Sequence, residues 1–394
     1  MTRKPVYVTG MGCLCAPGTS VPAAMASLYR GQRQAQKPQN FTTSLDQDYP
    51  AFEILEPVGH DDEMVTRTTQ FTMVALEEAL RQAKLDLPFL QKKRVGVAIG
   101  TSVGCTLNNE PYYRQYKQGL FPDHQAIDTY LLNNPALYIS RKFGLTGPAA
   151  TVANACSSGT DAIGLAKSWL DNDQCDLVIA GGADELSRIT YLGFISLLVT
   201  STELCRPFDK DRKGLNLGEG AGILIMEHSS SAGERGAPIL ASVNGFGTFA
   251  DAYHPTAPHP EGTGLRRAID QALKQAGLTA RQIGFVNAHG TSTQNNDEVE
   301  GKVIADLFGP DIPVVSTKSY TGHTLGAAGA IEAVFTIRGL TDQKIPATPG
   351  FETPDPQCMV TPAKQNLEVQ AEFALSNSLA FGGNNSALIL GRVS

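Results

Sequence analysis

Residues 152–164, with the sequence VANACSSGTDAIG, join the end of an apolar segment to a run of small and apolar residues at helical spacing. This pattern predicts a strand, a tight turn that carries Cys156, and a helix over 157–170 that the two serines can cap. A cysteine in such a turn lies at the positive end of a helix dipole, which lowers a thiol pKa. Most lone cysteines are buried small hydrophobes, so the turn alone does not establish a nucleophile.

The same alternation of strand, turn and helix extends in both directions along the chain. The apolar runs are continuous, which favours strands covered on both faces. The predicted strands span residues 6–9, 95–99, 177–180, 223–226, 239–243, 283–286, 313–316, 373–376 and 387–390. The predicted helices, besides 157–170, span residues 67–84, 264–275 and 325–338, the last of which Gly339 could close.

A small, polar segment divides this pattern into two parts. Residues 229–238, SSSAGERGAP, have the composition of a flexible connection, and the alternation restarts after them. The sequence therefore predicts an α/β protein with two comparable halves, residues 1–232 and 233–394. The similarity between VANACSSGTDAIG and VVSTKSYTGHTLGAAG supports this division, although it is too weak to prove a duplication.

Composition and charge exclude several classes of protein. A chain of 394 residues can bury a large core, and only 18% of its residues are charged against about 25% on average, which favours an oligomer. The net charge is −7 and no block of five like charges occurs, which argues against a nucleic-acid surface. The seven cysteines are scattered, so neither a disulfide framework nor a zinc site is predicted. No signal peptide or membrane span is recognisable, and we expect a cytoplasmic protein.

Two histidines follow apolar segments in the second half. His289 lies in FVNAHGTSTQNNDEVE and His323 in VVSTKSYTGHTLGAAGAIE. Ends of strands that lead into polar turns are where α/β folds present groups to a ligand. Either histidine alone is more often structural than catalytic. One cysteine and two histidines, each at such a turn, together predict nucleophilic catalysis.

Other chemically suggestive residues have competing interpretations. Glu332 is a lone carboxylate on an apolar helix, so it is either solvated or paired with Lys318 or a histidine. Gly382 and Gly383 precede the last predicted strand, where they either expose amide groups or form an ordinary hairpin, and composition favours the hairpin. Residues 218–222 fit neither dinucleotide-binding nor P-loop spacing, and no metal site is indicated elsewhere.

Four segments together resemble one family. They are NACSSG around Cys156, NAHGTST around His289, STKSYTGHTLGAAGA around His323, and SNSLAFGGNN around Phe381. They resemble the β-ketoacyl-acyl carrier protein synthases of the decarboxylating elongation class, types I and II, and VYVTGMG and RPFDKDRKGLNLGEGAG extend the match over nearly the whole chain. The resemblance implies a thiolase fold, with two similar βαβαβαββ halves in a five-layered αβαβα arrangement, and usually a homodimer.

The resemblance also implies a role for each motif. Cys156 would accept an acyl chain from the phosphopantetheine of an acyl carrier protein, without any other cofactor. His289 and His323 would hydrogen-bond the malonyl thioester carbonyl as carbon dioxide leaves, where negative charge develops. The amides of Cys156 and Phe381 would form an oxyanion hole, and Lys318 and Glu332 would set the protonation and orientation of the histidines. The residues expected to bind substrate are Thr291, Thr293, Asn108, Asn109, Gly382 and Gly383.

The chain departs from the family pattern at several positions. Asn384 replaces a common threonine, Gln294 replaces a proline, and the pair Leu215 and Asn216 replaces an aromatic and an aliphatic residue. The adjacent asparagines at 108–109 fall near the usually apolar floor of the acyl pocket. Unpaired polar groups there would disfavour a long saturated chain. A specialised polyketide or polyene synthase is therefore an alternative to a synthase of fatty acid elongation.

The sequence thus predicts an enzyme of decarboxylative Claisen condensation, with two alternatives. The first is a chain-length-factor-like partner subunit of a ketosynthase heterodimer, against which the intact Cys156, His289 and His323 argue. The second is a coenzyme A-dependent thiolase, which the two histidines and the lack of a second catalytic cysteine in a C-terminal glycine motif disfavour. A homodimer is expected, with a heterodimer of related subunits as the alternative.

Overall fold

The computed structural model describes residues 5–58, 65–104, 106–132 and 134–393. The side chains of residues 106–108 lie outside this description, and Asn108, one of the expected substrate-binding residues, is among them. Within the described ranges, no helix combines the length and apolar character needed to cross a bilayer.

Each predicted strand range overlaps an observed strand, which is longer in most cases, whereas β3, β9 and β10 lie outside the predicted ranges. In chain order they are β1 Val6–Cys15, β2 Val95–Gly100, β3 Ala149–Val152, β4 Leu177–Asp184, β5 Gly220–His228, β6 Ala241–Ala250, β7 Ile283–Asn287, β8 Val314–Val315, β9 Lys344–Ile345, β10 Leu367–Glu368, β11 Phe373–Ala380 and β12 Asn384–Gly391. The short strands β9 and β10 pair only with each other among the described residues.

The helices connect these strands. In chain order they are α1 Val21–Tyr29, α2 Arg67–Ala83, α3 Leu87–Leu90, α4 Thr106–Lys117, α5 Gln125–Leu132, α6 Pro135–Phe143, α7 Ser158–Asp171, α8 Arg188–Ser196, α9 Ser229–Glu234, α10 Thr263–Ala276, α11 Gln294–Phe308, α12 Lys318–Thr321 and α13 Ala328–Asp342. Single 3-10 turns span Ala155–Ser157, Ala280–Gln282 and Leu325–Ala327.

The strand order shows that the two halves have the same topology. The order β3-β2-β4-β5-β1 in the first half corresponds to β8-β7-β11-β12-β6 in the second. In both halves the first two pairings are parallel and the last two are antiparallel. The halves meet through two residue pairs between β1 and β6, Tyr7 with Ser242 and Val8 with Ala241.

Helices lie between and outside the two halves of the sheet. The central helix α7 contacts β2 and β4 of the first half and β6 and β12 of the second, and α13 likewise contacts β5 and β11. On the outer faces, α2 packs on β1 and β5, while α10 packs on β6 and β12. This arrangement gives five layers and confirms the predicted α/β thiolase-type fold.

Small residues allow the two central helices to approach closely. A Cβ atom on Gly159 would lie 2.7 Å from the carbonyl oxygen of Gly326, and one on Gly329 would lie 1.9 Å from the hydroxyl oxygen of Thr160. Neither position accepts a larger residue without displacement of its neighbour. The small-residue pattern of both predicted helices therefore reflects their packing against each other.

The helix that the sequence predicts to end at Gly339 is built differently. A 3-10 turn, Leu325–Ala327, comes first, and α13 then continues past Gly339 to Asp342. A Cβ atom at Gly339 would lie 2.9 Å from the Phe285 ring, so this glycine provides space for packing inside the helix. The prediction of a helix end at Gly339 is therefore wrong.

Two further local predictions differ from the structure. Ser157 does not cap α7, because its single hydroxyl proton is shared between the carbonyl of Asn154 and the carboxylate of Asp161, each 2.9 Å away. The segment expected to be a flexible connection begins with the short helix α9, in which Ala232 is buried. The domain boundary between residues 232 and 233 falls within that helix and stays a prediction.

Candidate active site

Cys156 lies in the 3-10 turn that leads from β3 into α7. The preceding residue, Ala155, has φ 49°, a left-handed conformation that alanine rarely adopts. The strained turn places Cys156 at the amino end of α7, where the side chain is 4% exposed and lines a cavity of about 430 Å³. The thiol is therefore buried in the protein and faces a space that can hold substrate.

Burial dominates the acidity of this thiol. It raises the pKa of Cys156 to about 12, although the charge of Lys318 and hydrogen bonds from the backbones of Phe381 and Cys156 itself lower it. The expectation that the helix end would favour a thiolate is thus wrong for this structure, because removal of the sulfur from water outweighs the favourable charges.

The raised pKa predicts a steep pH dependence of alkylation at Cys156. The thiolate is the reactive form, so well below the pKa its fraction, and the rate with iodoacetamide, should rise about tenfold per pH unit from pH 7 to 9. Mass spectrometry of the peptide that contains Cys156, sampled over time at each pH, measures this rate. A rate that is constant across this range would mean that the sulfur is already ionised.

The two predicted histidines meet in the same cavity. His289 follows β7 and His323 follows α12, and their ring centroids lie 5.2 Å apart at an interplanar angle of 87°. Both side chains are buried and both line the cavity with Cys156. The structure thus brings together three residues of which the first and the last, Cys156 and His323, are more than 160 positions apart in the sequence.

The hydrogen bonds of the two rings determine their tautomers. The ammonium of Lys318 lies 3.0 Å from Nδ1 of His289, and the backbone amide of Leu325 lies 3.3 Å from Nδ1 of His323. An ammonium and an amide can only donate, so Nδ1 accepts in both rings and the proton of each neutral ring is on Nε2. Burial, followed by the charge of Lys318, holds both histidine pKa values well below the usual range. The site therefore contains two neutral imidazoles, each with an Nε2–H donor.

Glu332 is paired rather than solvated. Its carboxylate accepts a hydrogen bond from Lys318, and both side chains are buried. Burial raises the pKa of Glu332 to about 7, while the charge of Lys318 opposes the increase. The ammonium thus connects Glu332 to Nδ1 of His289, as a group that orients this ring would.

The remaining predicted residues are divided between the cavity and its surroundings. Thr291 and Thr293 line the cavity, with their hydroxyl oxygens 2.8 Å apart. Phe381 also lines it, and its ring stacks on that of Phe194 with the two centroids 5.3 Å apart. The rings of Phe194 and His323 are nearly perpendicular, with their centroids 6.3 Å apart. These aromatic rings form one wall beside the histidines.

Gly382 and Gly383 do not line the cavity in this structure. They have φ values of 84° and 79° and form the turn between β11 and β12. Their amides donate to the carbonyls of Pro255 and Ala380, at 2.7 and 3.1 Å, instead of pointing to a free site. Asn109 does not line the cavity either, and its buried Oδ1 has no hydrogen-bond partner among the residues that the structure describes.

Two residues of the site were not predicted from the sequence. Phe194, on α8, has no motif that distinguishes it from other apolar residues. Glu300, on α11, is fully buried, and its carboxylate accepts the backbone amides of His289 and Gly290, both at 2.8 Å. It lies one helical turn after Asp297, which is also buried, but the inward orientation of both carboxylates is visible only in the folded chain.

Both halves of the chain match known sequence models. The N-terminal domain of β-ketoacyl synthase matches residues 3–232, and the C-terminal domain matches residues 240–352. A curated relative, 3-oxoacyl-[acyl-carrier-protein] synthase 2 of Staphylococcus aureus strain COL, is 35% identical over 412 residues and covers 98% of each chain.

Solved structures agree with this match. A structure described as the ishigamide ketosynthase/chain length factor has a TM-score of 0.94 at 32% identity and covers 100% of both chains. A type II polyketide synthase acyl carrier protein in complex with its ketosynthase has a TM-score of 0.91 at 27% identity, again over 100% of both chains. The chain therefore belongs to the β-ketoacyl synthase family and is a condensing acyltransferase of fatty acid or polyketide synthesis.

Proposed function

We propose that Cys156 accepts an acyl chain from the phosphopantetheine thioester of an acyl carrier protein and condenses it with a malonyl unit on a second carrier. The product is a β-ketoacyl-acyl carrier protein. One observation carries this proposal: a single cavity holds a buried thiol together with two neutral imidazoles whose Nδ1 atoms are occupied. The phosphopantetheine belongs to the carrier, so the enzyme would need no cofactor of its own.

The first half-reaction is transfer of the acyl group. The sulfur of Cys156 attacks the thioester carbonyl, and the carrier's thiol leaves with the proton that Cys156 gives up. The negative oxygen that forms would be held by the backbone amides of Cys156 and Phe381, both of which lower the pKa of this thiol. Thr291 and Thr293 would contact the polar arm that brings the thioester into the cavity.

The second half-reaction is decarboxylation followed by carbon–carbon bond formation. When the malonyl unit loses carbon dioxide, the electrons of the broken bond form an enolate whose oxygen accepts hydrogen bonds from Nε2–H of His289 and His323. The enolate carbon attacks the acyl group on Cys156, and the thiolate leaves. Lys318, held by Glu332, keeps Nδ1 of His289 as an acceptor and therefore keeps the proton on Nε2.

The partners form part of the proposal. The acyl carrier complex of a structural relative supports a carrier protein as the source of both substrates. A homodimer stays a prediction, and the relative described with a chain length factor supports a heterodimer as its alternative. The presence of Cys156 and both histidines favours the catalytic subunit of such a heterodimer over its non-catalytic partner subunit. A cytoplasmic location, favoured by the scattered cysteines, is also part of the proposal.

A loading experiment tests this function. The enzyme is incubated with acyl groups of several lengths and degrees of unsaturation, each offered on acyl carrier protein and on coenzyme A, and its intact mass is measured. We expect Cys156 to be acylated at least about tenfold faster from the carrier, because the protein partner adds binding energy. Subsequent addition of malonyl carrier should give a β-ketoacyl product.

Three outcomes would contradict the proposal. Efficient loading only from coenzyme A, with cleavage of a 3-ketoacyl thioester, would indicate a thiolase. Absence of loading from every donor, in enzyme that is folded, would indicate a non-catalytic partner subunit. Loading without any product after addition of malonyl carrier would exclude the condensing role of the histidines.

A further inference from the structure

Asn216, one of the departures from the family pattern, is a buried side chain with all its hydrogen-bonding groups engaged. It is 2% exposed. Its Oδ1 accepts the backbone amide of Cys205 at 2.7 Å, and its Nδ2 donates to the carbonyls of Ser201 and Glu203, both at 3.1 Å. The side chain thus connects the segment before β5 to the loop 201–205.

The backbone of the same segment holds His323. The amide of His323 donates to the carbonyl of Asn216 at 2.8 Å, and the amide of Gly218 donates to the carbonyl of His323 at 3.0 Å. Leu217 forms the parallel bridge with His323 between these two bonds. The backbone amide and carbonyl of His323 are therefore both hydrogen-bonded to residues 216–218, and a shift of these residues would move His323.

The loop that Asn216 contacts is itself attached to residues 318–323, which comprise α12 and His323. The guanidinium of Arg33 donates to the carbonyls of Cys205 and Ser319, at 2.7 and 2.8 Å. The carbonyl of Lys318 lies 3.6 Å from the thiol of Cys205, which can donate to it. Hydrogen bonds therefore connect loop 201–205 to residues 318–323, and Asn216 connects this loop to the segment that leads into β5.

We propose that Asn216 is a positioning residue for His323, which sets where its Nε2–H donor lies. This inference rests on the proposed function, in which that donor stabilises the enolate. Valine at this position would leave one amide and two carbonyls without partners, and the segment would shift to satisfy them. A displacement of His323 by a fraction of an ångström would weaken decarboxylation more than acyl transfer, because acyl transfer depends on Cys156.

The test measures the two half-reactions separately in Asn216→Val. We expect decarboxylation to slow about tenfold, since small misplacements of catalytic groups have effects of this size. The rate of Cys156 acylation should stay within about twofold of the parent enzyme. In the His323→Ala background, the same substitution should change decarboxylation by less than about twofold, because residues that act through one group are not additive.

Gln343→Met is the matched control. Gln343 also donates two side-chain hydrogen bonds to carbonyls, of Leu340 and Ala371, and accepts one from an amide, at the far end of α13. Gln343→Met should lower the thermal unfolding midpoint as Asn216→Val does, but it should not slow decarboxylation more than acylation. If Asn216→Val does not fold, Asn216→Ser, whose hydroxyl keeps one hydrogen bond, takes its place.

The outcomes distinguish this inference from the proposed function. Equal losses in both half-reactions, or a tenfold effect that persists in the His323→Ala background, would overturn the positioning role. Unchanged decarboxylation in His323→Ala itself would instead contradict the proposed function.

Discussion

Cys156→Ala is expected to abolish condensation and to leave malonyl decarboxylation measurable. In our proposal the acyl chain becomes attached to the sulfur of Cys156, so loss of this sulfur removes the acyl acceptor. The enolate oxygen, in contrast, is held by His289 and His323, which the substitution leaves in place. We therefore expect product formation below detection, a loss of at least about 10³-fold, as for other removed nucleophiles.

Release of carbon dioxide and formation of β-ketoacyl product are measured in parallel assays of this variant. Cys175→Ala serves as control, because Cys175 is also a buried cysteine but does not line the cavity. It should retain both activities. Product formation by Cys156→Ala at the parent rate would end the assignment of the nucleophile, and complete loss of decarboxylation would show that the thiol takes part in that step as well.

His289→Ala and His323→Ala are each expected to slow decarboxylation about 100-fold, which corresponds to about 3 kcal/mol for the loss of one fixed donor to a developing oxyanion. The reason lies in the tautomers: with both Nδ1 atoms acting as acceptors, each ring offers an Nε2–H to the same oxygen. The double variant should be less impaired than the product of the two single effects, since both donors serve one group. Acylation of Cys156 should remain measurable in both single variants.

Rapid-quench measurements of acylation and of carbon dioxide release on each variant test this mechanism. His228→Ala is the control, because His228 is also buried but does not line the cavity, and its Nε2 contacts the carbonyl of Leu170 instead. If either His289 or His323 can be removed with decarboxylation unchanged, the two-donor mechanism is wrong. If one of them proves essential for acylation and the other dispensable, the chemistry resembles that of a thiolase.

The sequence alone predicted the main strands of the sheet and three candidate reactive groups. Continuous apolar runs predicted the strands because a strand covered on both faces must be apolar on both, whatever else surrounds it. Cys156, His289 and His323 could be selected because each lies in a short polar segment soon after an apolar run, a feature of local sequence. The resemblance to the β-ketoacyl synthases then followed from short motifs whose order along the chain is itself a sequence property.

The tertiary structure alone decided how these groups are partnered and ionised. Cys156 has a raised pKa because the whole fold removes it from water, which no local helix-end argument can weigh. The choice between a solvated and a paired Glu332 depended on where Lys318 lies, and the buried Glu300 was found only through its contacts with the peptide after β7. Desolvation and hydrogen bonding depend on residues far apart in sequence, so they become known only when the chain is folded.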